Sequence, residues 1–140
     1  MTPALKMYAL SATVVALHML LLAFWTGTMR VRRKVYVNPE DAKASKGTQA
    51  EQDHDDVLRV KRAHQNALEN AVPFFAVGLL YAMSEPTKDG AIIYFSVFAL
   101  ARILHSIFYL WGRQPFRTLM FAIGALAVVG MGVHVLRHVV

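Results

Sequence analysis

The chain has 140 residues, of which 56% are hydrophobic and 17% charged, and it contains no cysteine. A soluble domain of this length could not bury so much apolar surface, so the composition favours a membrane protein. The absence of cysteine excludes disulfides, thiolate metal sites and a cysteine nucleophile, and we expect no bound metal. The net charge is +6. Most of it brackets apolar segments, which suits a cytoplasmic membrane edge and an anionic ligand rather than nucleic acid.

The first apolar segment predicts a transmembrane helix over about residues 5–33. No charged residue occurs from Met7 to Met29, a stretch longer than the apolar region of a signal peptide. The basic run RVRRK at 30–34 follows it and ends the helix at the interface. Residues 35–56 are polar and predict a cytoplasmic loop.

Three further helices are predicted at about 57–84, 90–112 and 116–138. The second has an apolar part of only Ala71 to Met83, so it spans a bilayer only if its polar first turns are carried inward. With two short connections and one long one, these segments predict a single all-α domain. Its expected architecture is an integral membrane four-helix bundle of up-down-up-down topology.

The distribution of Lys and Arg predicts the orientation. Eleven lysines and arginines lie in or beside the long loop and the turn between the third and fourth helices, and three lie at the opposite end. Because basic residues accumulate on the cytoplasmic side, both termini should lie on the opposite side.

Polar residues at helical spacing interrupt the second and third helices. Arg62, Asn66 and Glu69 fall on one face of the second helix. Arg102, His105, Ser106 and Tyr109 fall on one face of the third. An ionisable group inside a span costs a few kcal/mol, so such groups face a partner or a polar cavity. Structural ion pairs such as Arg62–Glu69 or Glu69–Arg102 are one interpretation. The other is a shared site for an anionic ligand.

The excess of cations favours the ligand. Arg30 and Arg117 reach the same level of the bundle as Arg62 and Arg102, and arginine binds carboxylates with bidentate geometry. A small anion with a free amine would fit, with Glu69 binding the amine.

Five sequence motifs resemble those of the MAPEG family, the membrane-associated proteins of eicosanoid and glutathione metabolism. In chain order they are RVRRKVYVNPEDA (30–42), RAHQNALENAVPF (62–74), GLLYAMSEP (78–86), ARILHSIFYL (101–110) and QPFRTL (114–119). The resemblance covers nearly the whole chain. It implies a homotrimer of four-helix subunits, with glutathione bound between neighbouring subunits near the cytoplasmic face.

The resemblance also implies residue roles. The implied glutathione site comprises Arg30, Arg62, Gln65, Asn66, Glu69, Arg102, His105, Tyr109, Arg117 and Phe121. The implied catalytic residues are Arg117, Thr118 and Asp41. This chain departs from the isomerase members of the family at two positions. Gln65 stands where they have an arginine, and Phe121 stands where they have a tyrosine.

The function implied is that of a glutathione-dependent membrane transferase or peroxidase. Its site would stabilise the glutathione thiolate for attack on hydrophobic electrophiles or lipid hydroperoxides that arrive from the membrane lipids. Two alternatives remain open: a glutathione-dependent isomerase of the prostaglandin-synthase type, and a non-catalytic membrane scaffold of the same fold.

Overall fold

A computed structural model describes all residues from 1 to 140. In chain order its elements are α1 (Pro3–Arg33), β1 (Val35–Tyr36), α2 (Pro39–Ala44), β2 (Thr48–Gln49), α3 (Asp55–Met83), α4 (Lys88–Leu110) and α5 (Gln114–Val139). The all-α prediction is confirmed, because the two strands contribute only two residues each.

Local side chains define where the long helices begin. The Thr2 hydroxyl accepts a hydrogen bond from the Leu5 amide at the start of α1, and Thr87 accepts one from Gly90 at the start of α4, each at 3.2 Å. Such caps satisfy amides that have no partner within the helix. The first turn of α3 is capped by His54, whose Nδ1 accepts from the Asp56 amide.

The four long helices pack around an aromatic core. Helix α1 lies against α3 and α4, and α5 lies against the same two helices. Phe74 of α3 and Phe98 of α4 are fully buried and stack with ring centroids 4.0 Å apart. The Tyr8 hydroxyl donates to the Phe75 carbonyl at 3.0 Å, which ties α1 to α3.

Three helices are long and apolar enough to cross a membrane: α1, α4 and α5. Large apolar side chains such as Phe24, Leu126 and Val129 are exposed on them, as expected for surfaces that face lipid. The chain is therefore a membrane protein. Helix α3 does not reach the same apolarity because its first half is polar, but its 29 residues make it about 43 Å long.

The polar segment at 35–56 is folded rather than irregular. Its two short strands pair in parallel, with Val35 opposite Thr48 and Tyr36 opposite Gln49. Gly47 permits this packing, since a Cβ atom there would lie 2.6 Å from the Lys34 carbonyl oxygen. Elements of two to six residues are too short to leave a periodic signal in a sequence.

Candidate functional site

Two adjoining cavities lie at the end of the molecule where α3 begins, α4 ends and α5 begins. The first, here called the amide cavity, has a volume of about 210 Å³ and is lined by Asn66, His105, Tyr109, Arg117, Thr118 and Phe121. The second, here called the basic cavity, has a volume of about 270 Å³ and is lined by Asp55, Arg59, Arg62, Tyr109, Gly112 and Arg117. Most of the predicted site residues line one or both.

Arg117 and Tyr109 stand between the two cavities. The guanidinium carbon of Arg117 lies 4.7 Å from the centroid of the Tyr109 ring, a cation–π geometry. No carboxylate lies within ion-pair distance of Arg117. The ring therefore positions the cation without neutralising it, and its charge remains available to a bound anion.

A buried network supports the amide cavity from behind. The Arg102 side chain is 1% exposed, and its Nη2 donates to the Asn66 Oδ1 at 2.6 Å. This bond occupies the Asn66 oxygen, which leaves the Asn66 Nδ2 to donate into the cavity. His105 Nδ1 lies 3.5 Å from the same Arg102 nitrogen. Arg102 therefore acts through its neighbours rather than by lining a cavity.

Ser106 lies on the predicted polar face of α4, but its contact with His18 was not predicted from sequence. The Ser106 hydroxyl donates to the Arg102 carbonyl at 3.2 Å and lies 2.9 Å from His18 Nε2. His18 belongs to α1, so the network links α1, α3 and α4. A single histidine on an apolar helix carries no signal of such a contact.

Arg30 lines neither cavity. It donates from Nε and Nη2 to the two carboxylate oxygens of Asp53, each at 3.1 Å, and Lys61 Nζ donates to the same carboxylate at 3.0 Å. The Asp53 side chain is 2% exposed. Hydrogen bonds from Arg30 and then from Lys61 hold the pKa of this carboxyl below its usual range, although burial opposes them. Asp53 was not predicted, because it lies in a non-periodic segment.

Glu69 and Gln65 lie on the outer surface of α3. Gln65 Nε2 donates to Glu69 Oε1 at 3.0 Å, and both residues are exposed. Glu69 pairs with neither Arg62 nor Arg102, so neither ion pair considered from the sequence forms within the chain. Of the four arginines expected to converge on Glu69, only Arg62 and Arg117 line the same cavity. The carboxylate that lines this cavity is Asp55 and not Glu69.

The remaining predicted residues are distributed as follows. Thr118 and Phe121 line the amide cavity, where the Phe121 ring centroid is 6.4 Å from that of His105. Asp41 lies in α2, where its carboxylate accepts a hydrogen bond from Asn38 Nδ2 at 3.1 Å. It forms no ion pair with Arg117.

Comparisons with known proteins identify relatives along nearly the whole chain. Residues 8–137 match the model of the MAPEG family. Human microsomal glutathione S-transferase 1 is 42% identical over 135 residues, which cover 93% of this chain and 87% of that protein. The same transferase from Rattus norvegicus is 42% identical over 131 residues, with coverages of 90% and 84%. Prostaglandin E synthase from Macaca fascicularis is 35% identical over 136 residues, with coverages of 96% and 90%.

Proposed function

The chain belongs to the MAPEG family, and on that premise we propose that it is a membrane glutathione transferase that can also act as a peroxidase. The observation that carries this proposal is Arg117. It is a cation without a carboxylate partner, held over Tyr109 at the junction of two cavities that open at one end of the molecule.

Arg117 is proposed to stabilise the thiolate of bound glutathione. A free thiol has a pKa near 8.5, so little thiolate exists at neutral pH. Lowering that pKa by about two units requires roughly 2.7 kcal/mol of preferential thiolate stabilisation. Arg117 lies in the first turn of α5, where the helix dipole adds positive potential, and the Thr118 hydroxyl lines the same cavity.

The thiolate then reacts in one of two ways. With an electrophile, its sulfur bonds to the carbon that carries the leaving group, and the leaving group departs with the electron pair. With a lipid hydroperoxide, the sulfur attacks the terminal oxygen and the O–O bond breaks. Glutathione becomes a sulfenic acid, and the lipid alkoxide takes up a proton from water to leave as the alcohol. A second glutathione then forms the disulfide and releases water.

Glutathione itself offers two carboxylates and an amine to the protein. Arg62 in the basic cavity and the Asn66 amide in the adjoining one are proposed to bind the carboxylates and the peptide backbone, with His105, Tyr109 and Phe121 as the cavity wall. Glu69 is proposed to bind the amine.

A homotrimer would complete this site. Gln65 and Glu69 are exposed on α3, beside the exposed apolar side chains of Leu68 and Val72. A hydrogen-bonded polar pair on such a surface is better matched by another protein surface than by lipid. Packing of a second copy against this face would bring further groups, such as Arg30, toward the glutathione bound by Glu69. The helix pair α4–α5 and the long helices α1 and α3 form the four-helix subunit of this assembly.

The site is proposed to face the cytoplasm, with both termini on the opposite side. Eleven lysines and arginines lie at the end that carries the cavities, against three at the other end. The apolar second substrate would enter laterally from the bilayer.

The test is conjugation of glutathione to 1-chloro-2,4-dinitrobenzene by the detergent-purified protein, measured as the release of chloride. At pH 7, Arg117→Ala should lower kcat roughly 25-fold, because the thiolate fraction falls by about that factor when the thiol pKa returns to about 8.5. Arg113→Ala should not lower it, because Arg113 is exposed and lines neither cavity. Native mass spectrometry of both variants should show the same trimer. Full turnover by Arg117→Ala would contradict the assigned role.

A second candidate function is isomerisation of a prostaglandin endoperoxide. The 35% identity to prostaglandin E synthase favours it, as do Arg117 and Thr118, which line the same cavity. Product analysis with an endoperoxide separates the two activities. Turnover of neither substrate, nor of a lipid hydroperoxide, would favour a non-catalytic scaffold.

A further inference from the structure

A group of exposed cations lies where α1 ends. This group, here called the lysine patch, comprises Arg32 and Lys34 at the end of α1, and Lys43 and Lys46 at the end of α2. None of the four has a carboxylate within ion-pair distance. The patch lines neither cavity, so the proposed binding of glutathione does not account for it.

The carboxylates around the patch do not neutralise it. Two neighbouring arginines are paired, Arg30 with Asp53 and Arg33 with Asp56. The acids of α2 lie in its first turn, before its basic end, and they form no ion pair. The charges are therefore segregated, and the four cations of the patch remain available to an anion from outside the chain.

The backbone holds Lys34 and Lys46 close together. The Thr48 amide donates to the Lys34 carbonyl at 2.8 Å, and β1 pairs with β2 from that point onward. Both lysines adopt a left-handed backbone, with φ of 52° and 49°, a conformation that favours glycine and disfavours other residues. Neither position therefore requires lysine for folding, and an anion bound between the two side chains explains the pair better.

The length of α1 places the patch at the level of the lipid headgroups. The run at 7–29 contains no charged residue, and as a helix it is about 34 Å long, enough for a hydrocarbon core of about 30 Å. Arg32 and Lys34 follow this run almost at once. Val31 and Val37 are 66% and 41% exposed beside them in the chain. Apolar and basic side chains together suit the boundary between headgroups and acyl chains.

We propose that the lysine patch binds the headgroup of an anionic phospholipid of the surrounding bilayer, with the phosphate between Lys34 and Lys46. Basic residues beside a membrane helix attract anionic lipids. A zwitterionic phospholipid carries a cation in the same headgroup, which the patch repels. The patch therefore selects anionic over zwitterionic lipid, and this selection does not depend on glutathione chemistry.

Native mass spectrometry tests this proposal. The protein in nonionic detergent is mixed at low ionic strength with dioleoyl phosphatidylglycerol and dioleoyl phosphatidylcholine at equal concentrations, and the retained lipids are counted. The wild type should retain phosphatidylglycerol preferentially. A lysine near a membrane surface contributes roughly a fivefold preference, so Lys34→Gln combined with Lys46→Gln should reduce the preference roughly 25-fold. Lys34→Arg combined with Lys46→Arg keeps both cations and should keep the preference.

Lys6→Gln combined with Lys88→Gln is the matched control, because both lysines are exposed and lie at the opposite end of the molecule. This variant loses the same charge and should keep the preference. Equal retention of the two lipids by the wild type, or equal losses in the two glutamine variants, would overturn the proposal. sn-Glycerol 3-phosphate should not displace phosphatidylglycerol at equal concentration, and displacement would overturn the assignment to lipid by showing a site for soluble phosphates.

Two further measurements separate lipid binding from folding and catalysis. Without added lipid, the variant with both Lys34→Gln and Lys46→Gln should melt at the wild-type temperature. It should also conjugate glutathione to 1-chloro-2,4-dinitrobenzene at the wild-type rate, because neither lysine lines a cavity or forms an ion pair. Loss of the lipid preference together with a lower melting temperature would show that the lysines act through the fold, and would overturn the proposal.

Discussion

Replacement of Asp53 by asparagine removes the carboxylate that joins the polar segment at 35–56 to α1 and α3. Asp53 accepts hydrogen bonds from Arg30 and Lys61, and its side chain is 2% exposed. Removal of one partner from a fully buried ion pair costs about 3–5 kcal/mol. The two cations are 37% and 48% exposed, so they regain water in the variant, and the expected loss falls to about 2–3 kcal/mol.

The assay is thermal unfolding in detergent, measured as the loss of the helical circular dichroism signal. It compares the wild type with Asp53→Asn and Glu51→Gln. Glu51 is an exposed carboxylate two residues away that forms no ion pair, so it controls for the change in net charge. Asp53→Asn should unfold at a clearly lower temperature than both others. Equal stability of the two variants would refute the reasoning that this carboxylate anchors the segment.

The same carboxylate predicts a pH dependence. Its pKa is lowered in the folded state by the hydrogen bonds from Arg30 and Lys61, so its contribution is fully present above the ordinary carboxyl pKa of about 4. It is lost as pH falls through the lower folded value. The difference between wild type and Asp53→Asn should therefore be constant from pH 5 to 8 and shrink below about pH 4. A difference that grows on acidification would contradict this assignment.

Other substitutions have equally direct outcomes. Glu69→Gln should weaken glutathione binding roughly tenfold, as measured by titration calorimetry. It should not change stability, because Glu69 is exposed and its side chain is hydrogen-bonded only to Gln65. Unchanged affinity would place Glu69 outside the site. Gly130→Ala should destabilise by about 1–3 kcal/mol, since its Cβ would lie 2.5 Å from the Tyr94 ring. Gly27→Ala, with no atom within 4 Å of the added Cβ, is the matched control, and equal thermal stability of these two variants would contradict the close packing at Tyr94.

The long helices were predictable because their apolar runs carry a strong signal. The run from Met7 to Met29 predicts α1 directly, and the spacing of Arg102 and His105 predicts a buried polar face on α4. In the structure Arg102 is 1% exposed and His105 is 3% exposed. The burial of Arg102 follows from its position on one face of α4, and the spacing of residues in the sequence predicts that position.

The distribution of the cations was not predictable in the same way. Spacing places Arg62, Asn66 and Glu69 on one side of a helix, but that side is wide enough for Asn66 to meet Arg102 while Glu69 stays exposed. The contact between Arg30 and Asp53 depends on how the segment at 35–56 folds. Helical periodicity says nothing about such a segment.

The central claim is that this protein binds glutathione as a thiolate at Arg117, and ultraviolet absorbance of the bound thiol tests it most directly. Addition of glutathione to the detergent-purified protein at pH 7 should produce a saturable ultraviolet band of the thiolate. Arg117→Ala should abolish the band while the assembly keeps its mass. A wild-type protein that shows no band at millimolar glutathione, or an Arg117→Ala variant that keeps the full band, would contradict the account.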